Sequence, residues 1–344
     1  MNESPRWLCF VAGKSGGHIV PALHLANVAR AEAPTKIMFF STDTDLDRTI
    51  LGKQTIDQHI TLSCSLLYRS IFVRPLALIQ LGYACLKSLY YLIRHRPESI
   101  VSTGGLVSVP VVLAGWALRI PITVYNLDAV PGKAARFTAQ FASKVYVCFD
   151  VVRPLFPART IKRVDYPHRF TAADKQPMEA ARATLNIPNH ACVILILGGS
   201  QGSAFLNTWF TNYLETLKPE IRSNLYVIHQ AGNRTIDELK AWYTKHNVAA
   251  DVFAYRDKIA PAYCAADFVI ARAGAGTLFE LLFFKKQALI IPLETKSTDH
   301  QLDNAYAMAA LHPQLFTVIR QIDCTQKADV ITHMFEHALQ AHKS

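Results

Sequence analysis

The sequence lacks most of the features that would place it at once. Its seven cysteines, Cys9, Cys64, Cys85, Cys148, Cys192, Cys264 and Cys324, stand singly, with no C-x-x-C pair. An odd, scattered set builds neither a disulfide framework nor a zinc knuckle, and it fits a reduced, cytosolic compartment. No uninterrupted apolar run reaches the roughly 18 residues of a membrane span, and the run after "MNESPR" is too short for a secretory leader. There is no G-x-x-x-x-G-K-[ST] phosphate loop and no G-x-G-x-x-G, so a nicotinamide dehydrogenase is disfavoured. H-E-x-x-H is also absent. His333, Glu336 and His337 offer only H-x-x-x-H near the end of the chain, and no metal is assigned there. No base-reading motif accompanies the positive charge, which disfavours nucleic acid as a partner.

One absence is local. From Gln58 to Pro97 there is no Asp or Glu, while Arg69, Arg74, Lys87, Arg94 and Arg96 sit among Leu66, Leu67, Ile71, Phe72, Leu76, Leu78, Ile79, Leu81, Tyr90, Tyr91 and Leu92. Apolar groups flanked by cations suit docking on an anionic membrane surface. The gap between Arg74 and Lys87 is too short to cross a bilayer. The alternative is a core helix whose basic residues face water.

What is present points to a large α/β protein. The 344 residues are half apolar, 18% charged and carry a net charge of +10, so two domains and an anionic partner are expected. Apolar runs at 7–12, 36–41, 99–102, 122–125 and 144–149 look like buried strands. A second series follows at 192–197, 224–229, 267–271 and 288–292. Continuous apolar strands separated by helical stretches imply parallel sheets covered on both faces. "LCFVAGKSGGH" and "VILILGGSQGS" open the two series in the same way, as strand, glycine loop and helix start. The stretch 153–177, rich in proline and basic residues, suits a linker. The expected division is 1–165, 166–325 and a terminal helix over 326–344.

Glycines after a parallel strand let amides approach a ligand, and the next helix directs its positive end there. Gly13, Gly16, Gly17, Gly198, Gly199 and Gly202 meet that description, and Gly104–Gly105 form a third pair. Pro21 is expected in a first helical turn. His18 is either a helix-start residue bonded to local backbone or a base or oxyanion donor. "RAGAG" before Thr277 opens another helix whose first amides suit a diphosphate. Glu280 is read there as a first-turn acid able to accept from two ribose hydroxyls. His300, Gln301 and Asn304 form a polar cluster at a carboxyl end of the sheet, where open α/β folds bind ligands.

Five segments in order resemble glycosyltransferase family 28. "AGKSGGHIVPAL" is similar to G-G-T-G-G-H-x-x-P-[AG]-L, and "STGGLVSVP" to G-x-G-G-Y-x-S-x-P. "LGGSQGSAFLN" is similar to G-G-S-Q-G-A-x-x-[LI]-N, "ARAGAGTLFEL" to R-[SA]-G-A-x-T-x-x-E, and "DHQLDNA" to D-x-Q-x-x-N-A. The resemblance implies a GT-B fold: two facing Rossmann-like domains with parallel sheets. It implies an inverting enzyme that moves N-acetylglucosamine from its uridine diphosphate carrier (UDP-GlcNAc) to the C4 hydroxyl of undecaprenyl-pyrophosphoryl-N-acetylmuramyl-pentapeptide, with no cofactor, at the cytoplasmic face of a bacterial inner membrane. Residues 66–96 coincide with the family's membrane-facing region, and the terminal helix is expected to pack back on the N-terminal domain.

Carried onto this sequence, Ser15, Gly16, Gly17 and His18 belong to the sugar and acceptor side. Ser200, Gln201 and the helix start Ala275, Gly276, Thr277, Leu278, Phe279 and Glu280 belong to the diphosphate and ribose. Gln301 and Asn304 belong to the donor sugar side, and Arg169 matches the arginine of G-N-P-x-R. His18 is the expected catalytic base, with Asp128 as runner-up. The first loop has Lys14 for a glycine, Leu106 stands for a tyrosine, and "YNLD" replaces H-E-Q-N, so Asp128 stands for an asparagine. Four readings therefore stay open: this transfer, the same transfer to another lipid acceptor such as diacylglycerol, a sugar-nucleotide epimerase, or a non-catalytic nucleotide-binding paralogue.

Overall fold

The computed structural model describes residues 5–13, 15–63, 74–156, 161–199, 202–233, 235–294, 300–324, 326 and 332. The chain divides into two compact units, Met1–Arg169 and Phe170–Ser344.

In the first unit strands and helices alternate: β1 (Arg6–Ala12), α1 (Gly16–Glu32), β2 (Thr35–Ser41), α2 (Asp45–Leu51), β3 (Gln58–Thr61), α3 (Arg74–His95), β4 (Ser99–Gly104), α4 (Ser108–Ala117), β5 (Ile122–Asn126), α5 (Lys133–Ala139), β6 (Lys144–Val147) and β7 (Ile161–Arg163). Among the described residues the strands form one parallel sheet in the order β3-β2-β1-β4-β5-β6-β7. Side chains alternate across a strand. Cys9 and Val11 therefore enter the core cluster on one face, while Leu8, Phe10 and Ala12 enter the cluster on the other. Both faces are covered, which is why β1 reads as an unbroken apolar run. Burial of Phe10 or Phe39 is worth about 2–3 kcal/mol each.

The second unit repeats the plan with α6 (Met178–Thr184), β8 (Cys192–Leu197), α7 (Ala204–Thr216), α8 (Pro219–Arg222), β9 (Leu225–Gln230), α9 (Ile236–Lys245), β10 (Ala249–Phe253), α10 (Ala260–Ala265), β11 (Phe268–Ala271), α11 (Ala275–Phe283), β12 (Ala288–Ile290), α12 (His300–Leu311) and β13 (Phe316–Val318). Its parallel sheet runs β10-β9-β8-β11-β12-β13 among the described residues. In each sheet the strand order reverses beside the first strand, between β1 and β4 and between β8 and β11. Ligands of open α/β sheets collect outside the carboxyl ends at that point.

Three sequence expectations change. The stretch taken as a linker contains β7, which pairs with β6 from Ile161 to Arg163. Pro21 is not in the first turn of α1 but at its sixth position. It has no N–H to give the Gly17 carbonyl, and the buried Tyr166 hydroxyl donates to that carbonyl at 3.4 Å instead. Third, Pro75–His95 is long and apolar enough, by length and composition, to cross a membrane. Its one interior cation is turned aside, because Lys87 Nζ donates to the Thr61 carbonyl at 3.0 Å.

The faces of α3 differ sharply. Ala77, Ala84, Ser88 and Leu92 are buried, whereas Leu76, Ile79, Tyr83, Leu86, Tyr90 and Ile93 are each more than half exposed. The exposed six recur at spacings of three and four, so they form a single stripe. Arg94 and Arg96 are exposed at its carboxyl end. Residues 66–73 of the expected membrane segment lie outside the described residues, as do His333, Glu336 and His337 and nearly all of the terminal helix. Thr332 accepts a hydrogen bond from the Tyr213 hydroxyl of α7 at 3.3 Å, within its own unit.

Candidate functional site

In the N-terminal unit the site is built by glycines that lock three strand-end loops together. A Cβ on Gly13, after β1, would stand 2.9 Å from the Thr42 amide after β2. A Cβ on Gly105, after β4, would stand 2.9 Å from the Gly13 carbonyl. Gly104 has φ +124° and lies under the His18 ring, where a Cβ would meet Nε2 at 3.0 Å. His18 is the third residue of α1. Its amide donates to the Ser15 carbonyl at 3.1 Å, and its carbonyl accepts from Thr103 Oγ1 at 2.8 Å. Thus β4 holds both the ring and the backbone of His18. Nδ1 is buried without a hydrogen bond.

Ser15, expected on the ligand side, is the N-cap of α1, and its Oγ accepts from the Gly17 amide at 3.2 Å. Gly16 and Gly17 are the first residues of that helix. Asp128 follows β5 and is half-buried; its carbonyl accepts from Asn126 Nδ2 at 2.7 Å. Arg169, also half-buried, ends the first unit.

In the C-terminal unit the carboxyl ends of four strands are tied by one side chain, Arg272. Its Nε and Nη2 donate to Ser203 Oγ after β8, at 3.0 and 2.8 Å. Nη1 donates to the Ile291 and Pro292 carbonyls after β12, at 3.0 and 3.1 Å. Nη2 also reaches Gln321 Oε1 after β13 at 2.9 Å. Burial lowers the Arg272 pKa to about 10, still well above neutrality. The motif "ARAGAGTLFEL" contains this residue but its spacing assigns it no role. A lone cation closing an apolar strand was the available signal, since such a group is buried only when its donors are satisfied.

The loop after β8 is tight. A Cβ on Gly202, at φ +74°, would lie 2.2 Å from the Ala231 carbonyl. That carbonyl accepts from Asn207 Nδ2 at 3.0 Å, and Nδ2 also donates to Thr235 Oγ1 at 2.7 Å. Asn207 Oδ1 must then accept from His229 Nε2 at 3.0 Å, so His229 Nδ1 accepts from the Tyr243 hydroxyl at 2.8 Å. Burial drives the His229 pKa down to about 3, and the ring is neutral. This chain of side chains, missed in the sequence, sits directly beneath the glycine loop. Ser200 and Gln201 lie outside the described residues.

Helix α11 starts bare. Its N-cap is Gly274, with no side-chain cap and no acid in the first turn. The first intrahelical acceptor is taken by Leu278, whose amide donates to the Gly274 carbonyl at 3.1 Å. The amides of Ala275, Gly276 and Thr277 have no partner among the described residues. Glu280 is the sixth residue of the helix, not a first-turn acid. It follows Gly276 by four residues and so shares its face, about 6 Å along the axis. Leu278 and Phe279 are buried and turn their side chains into the core. Asn304 is buried, and its Nδ2 donates to the Ala273 carbonyl at 3.4 Å, joining α12 to the α11 entrance. Gln301 Oε1 accepts from the Leu293 amide at 2.9 Å, so its Nε2 is the end directed elsewhere. His300 begins α12, with Nδ1 buried and unbonded.

Two doubly wound units, each with its glycine loop at the strand-order reversal, define the GT-B class, and a solved structure supports that fold directly. Acinetobacter baumannii MurG aligns with a TM-score of 0.73 over 97% of this chain and 91% of that one, at 23% identity. The description "Glycosyltransferase family 28 N-terminal domain" matches residues 8–147, and "Glycosyltransferase family 28 C-terminal domain" matches residues 193–344. The chain belongs to glycosyltransferase family 28 and is a glycosyl-transferring enzyme. A Salinibacter ruber protein named UDP-N-acetylglucosamine–N-acetylmuramyl-(pentapeptide) pyrophosphoryl-undecaprenol N-acetylglucosamine transferase is 30% identical over 88% of this chain and 80% of its own length. A Myxococcus xanthus protein of the same name is 28% identical over 86% of this chain and 76% of its own. The fold is shared more widely: a UDP-GlcNAc 2-epimerase from Methanocaldococcus jannaschii aligns with a TM-score of 0.60, covering 92% of this chain and 89% of that one, at 12% identity.

Proposed function

We propose that this chain transfers N-acetylglucosamine from UDP-GlcNAc to the C4 hydroxyl of undecaprenyl-pyrophosphoryl-N-acetylmuramyl-pentapeptide. The observation that carries the reading is the bare start of α11, with Glu280 on the same face. Three unengaged amides at the positive end of a helix fit a diphosphate. A carboxylate about one turn further along fits the two ribose hydroxyls. The relatives named for this transfer supply the sugar and the acceptor.

The chemistry follows from the groups present. The acceptor hydroxyl attacks the anomeric carbon in line with the departing diphosphate, and the configuration inverts. His18 Nε2 takes the hydroxyl proton, with Asp128 as the second candidate. The leaving diphosphate gains charge as the bond breaks; the fixed amides of α11 and the Arg169 guanidinium stabilise that charge. Ser200 and Gln201 are assigned to the diphosphate and ribose by the family resemblance, and Gln301 offers its Nε2 to a sugar hydroxyl.

The exposed stripe of α3 rests on the anionic cytoplasmic face of the inner membrane, where the lipid-linked acceptor resides. Arg94 and Arg96 flank the stripe and suit anionic headgroups. A helix with one buried face and one apolar outer face fits an interfacial position, not a span.

Release of uridine diphosphate tests the reading. It should require the muramyl lipid. Release supported equally by diacylglycerol would reassign the acceptor. Consumption of donor without any acceptor would indicate epimerase chemistry and contradict the transfer.

A further inference from the structure

Glu280 is gripped by a residue that no motif singled out. The Tyr263 hydroxyl donates to Glu280 Oε2 at 2.6 Å, within the short range of bonds from a hydroxyl to a carboxylate. Tyr263 belongs to α10 and is only 1% exposed. Its ring stacks on Phe284 with centroids 4.9 Å apart and an interplanar angle of 7°, and meets Phe170 edge-on at 5.9 Å. Phe284 is the C-cap of α11. The phenol is therefore clamped to the very helix that carries the carboxylate.

A glutamate on a helix surface has three side-chain torsions and samples several rotamers. A hydrogen bond from a buried, stacked phenol removes most of that freedom before a ligand arrives. Two hydroxyls on neighbouring carbons then meet a carboxylate already in plane, and the ordering cost does not fall on binding. Tyr263 is too buried to serve as a general hydrophobic wall for the ligand. Its hydroxyl acts through Glu280.

We infer that Tyr263 is a positioning residue for the nucleotide's vicinal diol: by orienting the Glu280 carboxylate it sets the preference for a ribonucleotide over its 2′-deoxy counterpart. The inference rests on the assignment of Glu280 to the ribose hydroxyls made above.

The test is calorimetric binding of UDP and of 2′-deoxy-UDP to the full chain, as wild type, Tyr263→Phe and Glu280→Gln. Phenylalanine keeps the ring and both aromatic contacts, and the thermal midpoint monitors the fold. The wild type should prefer UDP, and Glu280→Gln should lose that preference. Tyr263→Phe should reduce the preference about 3- to 10-fold, the scale of one hydrogen bond to a charged group, by weakening UDP alone. If Tyr263→Phe keeps the wild-type preference, or weakens both ligands equally, the inference about Tyr263 is overturned while the ribose assignment stands. If the wild type does not distinguish the two ligands, or Glu280→Gln still does, the ribose assignment fails and takes the inference with it.

Discussion

Arg272 donates twice to Ser203 Oγ, from Nε at 3.0 Å and Nη2 at 2.8 Å, and Ser203 in turn caps α7 by accepting from the Leu206 amide at 3.3 Å. One guanidinium thus fixes the helix that follows the glycine loop after β8. It also fixes the strand-end carbonyls after β12. Arg272→Met would leave the Ile291 and Pro292 carbonyls buried without donors. We expect a loss of about 3 kcal/mol in the stability of the C-terminal unit, from urea denaturation. Arg272→Lys should recover little of it, because an ammonium cannot present the planar fork.

His18 and Gly104 are in contact, and that contact can be displaced without touching the C-terminal unit. Gly104→Ala places a methyl 3.0 Å from His18 Nε2 at a φ of +124° that alanine rarely adopts. The ring must move. Turnover should fall about tenfold or more, as expected of a catalytic group shifted by about 1 Å. Calorimetry should find UDP affinity within about twofold of wild type, since the change lies far in sequence from the α11 amides and distant sites act independently.

The buried His229 gives the C-terminal unit a definite pH response. Its pKa falls from 6.5 to about 3 on folding because burial disfavours the cation. The unfolded chain therefore binds the proton first. The stability contributed by the neutral ring is fully present above pH 6.5 and is lost progressively as pH falls toward 3. At pH 5 the loss is about 2 kcal/mol. His229→Gln can bond to both Asn207 and Tyr243 without titrating, so its stability should be flatter over this range in urea melts.

The α3 stripe predicts a surface phenotype separable from chemistry. Ile79→Glu with Leu86→Glu places two carboxylates in the middle of the exposed apolar row. Co-sedimentation with anionic vesicles should drop at least about tenfold. UDP binding should be unchanged. Retention of full vesicle binding would remove α3 from the docking face.

Among the described residues the nine interior strands are legible in the sequence and four others are not, for a physical reason. β3, β7, β10 and β13 are the four sheet edges. They are short and mixed in polarity, as in "QHIT" and "IKR", because an edge buries less and has one partner. Central strands such as "CVILIL" are buried along their whole length and announce themselves. At the site, the glycine loops and the α11 start could be read from spacing, since they depend on local backbone. The roles of Arg272, Tyr263, His229 and Tyr166 could not. Each depends on which distant segments the sheet order brings together. The Tyr166 hydroxyl at the Gly17 carbonyl, for example, joins positions nearly half the chain apart.

The most direct measurement is an amide-resolved nuclear magnetic resonance titration of the labelled protein with UDP. The amides of Ala275, Gly276 and Thr277 should move together and saturate with the calorimetric affinity, as open donors at a helix start would on receiving a diphosphate. Saturable binding that leaves these three resonances in place, with shifts confined to other loops, would contradict the account.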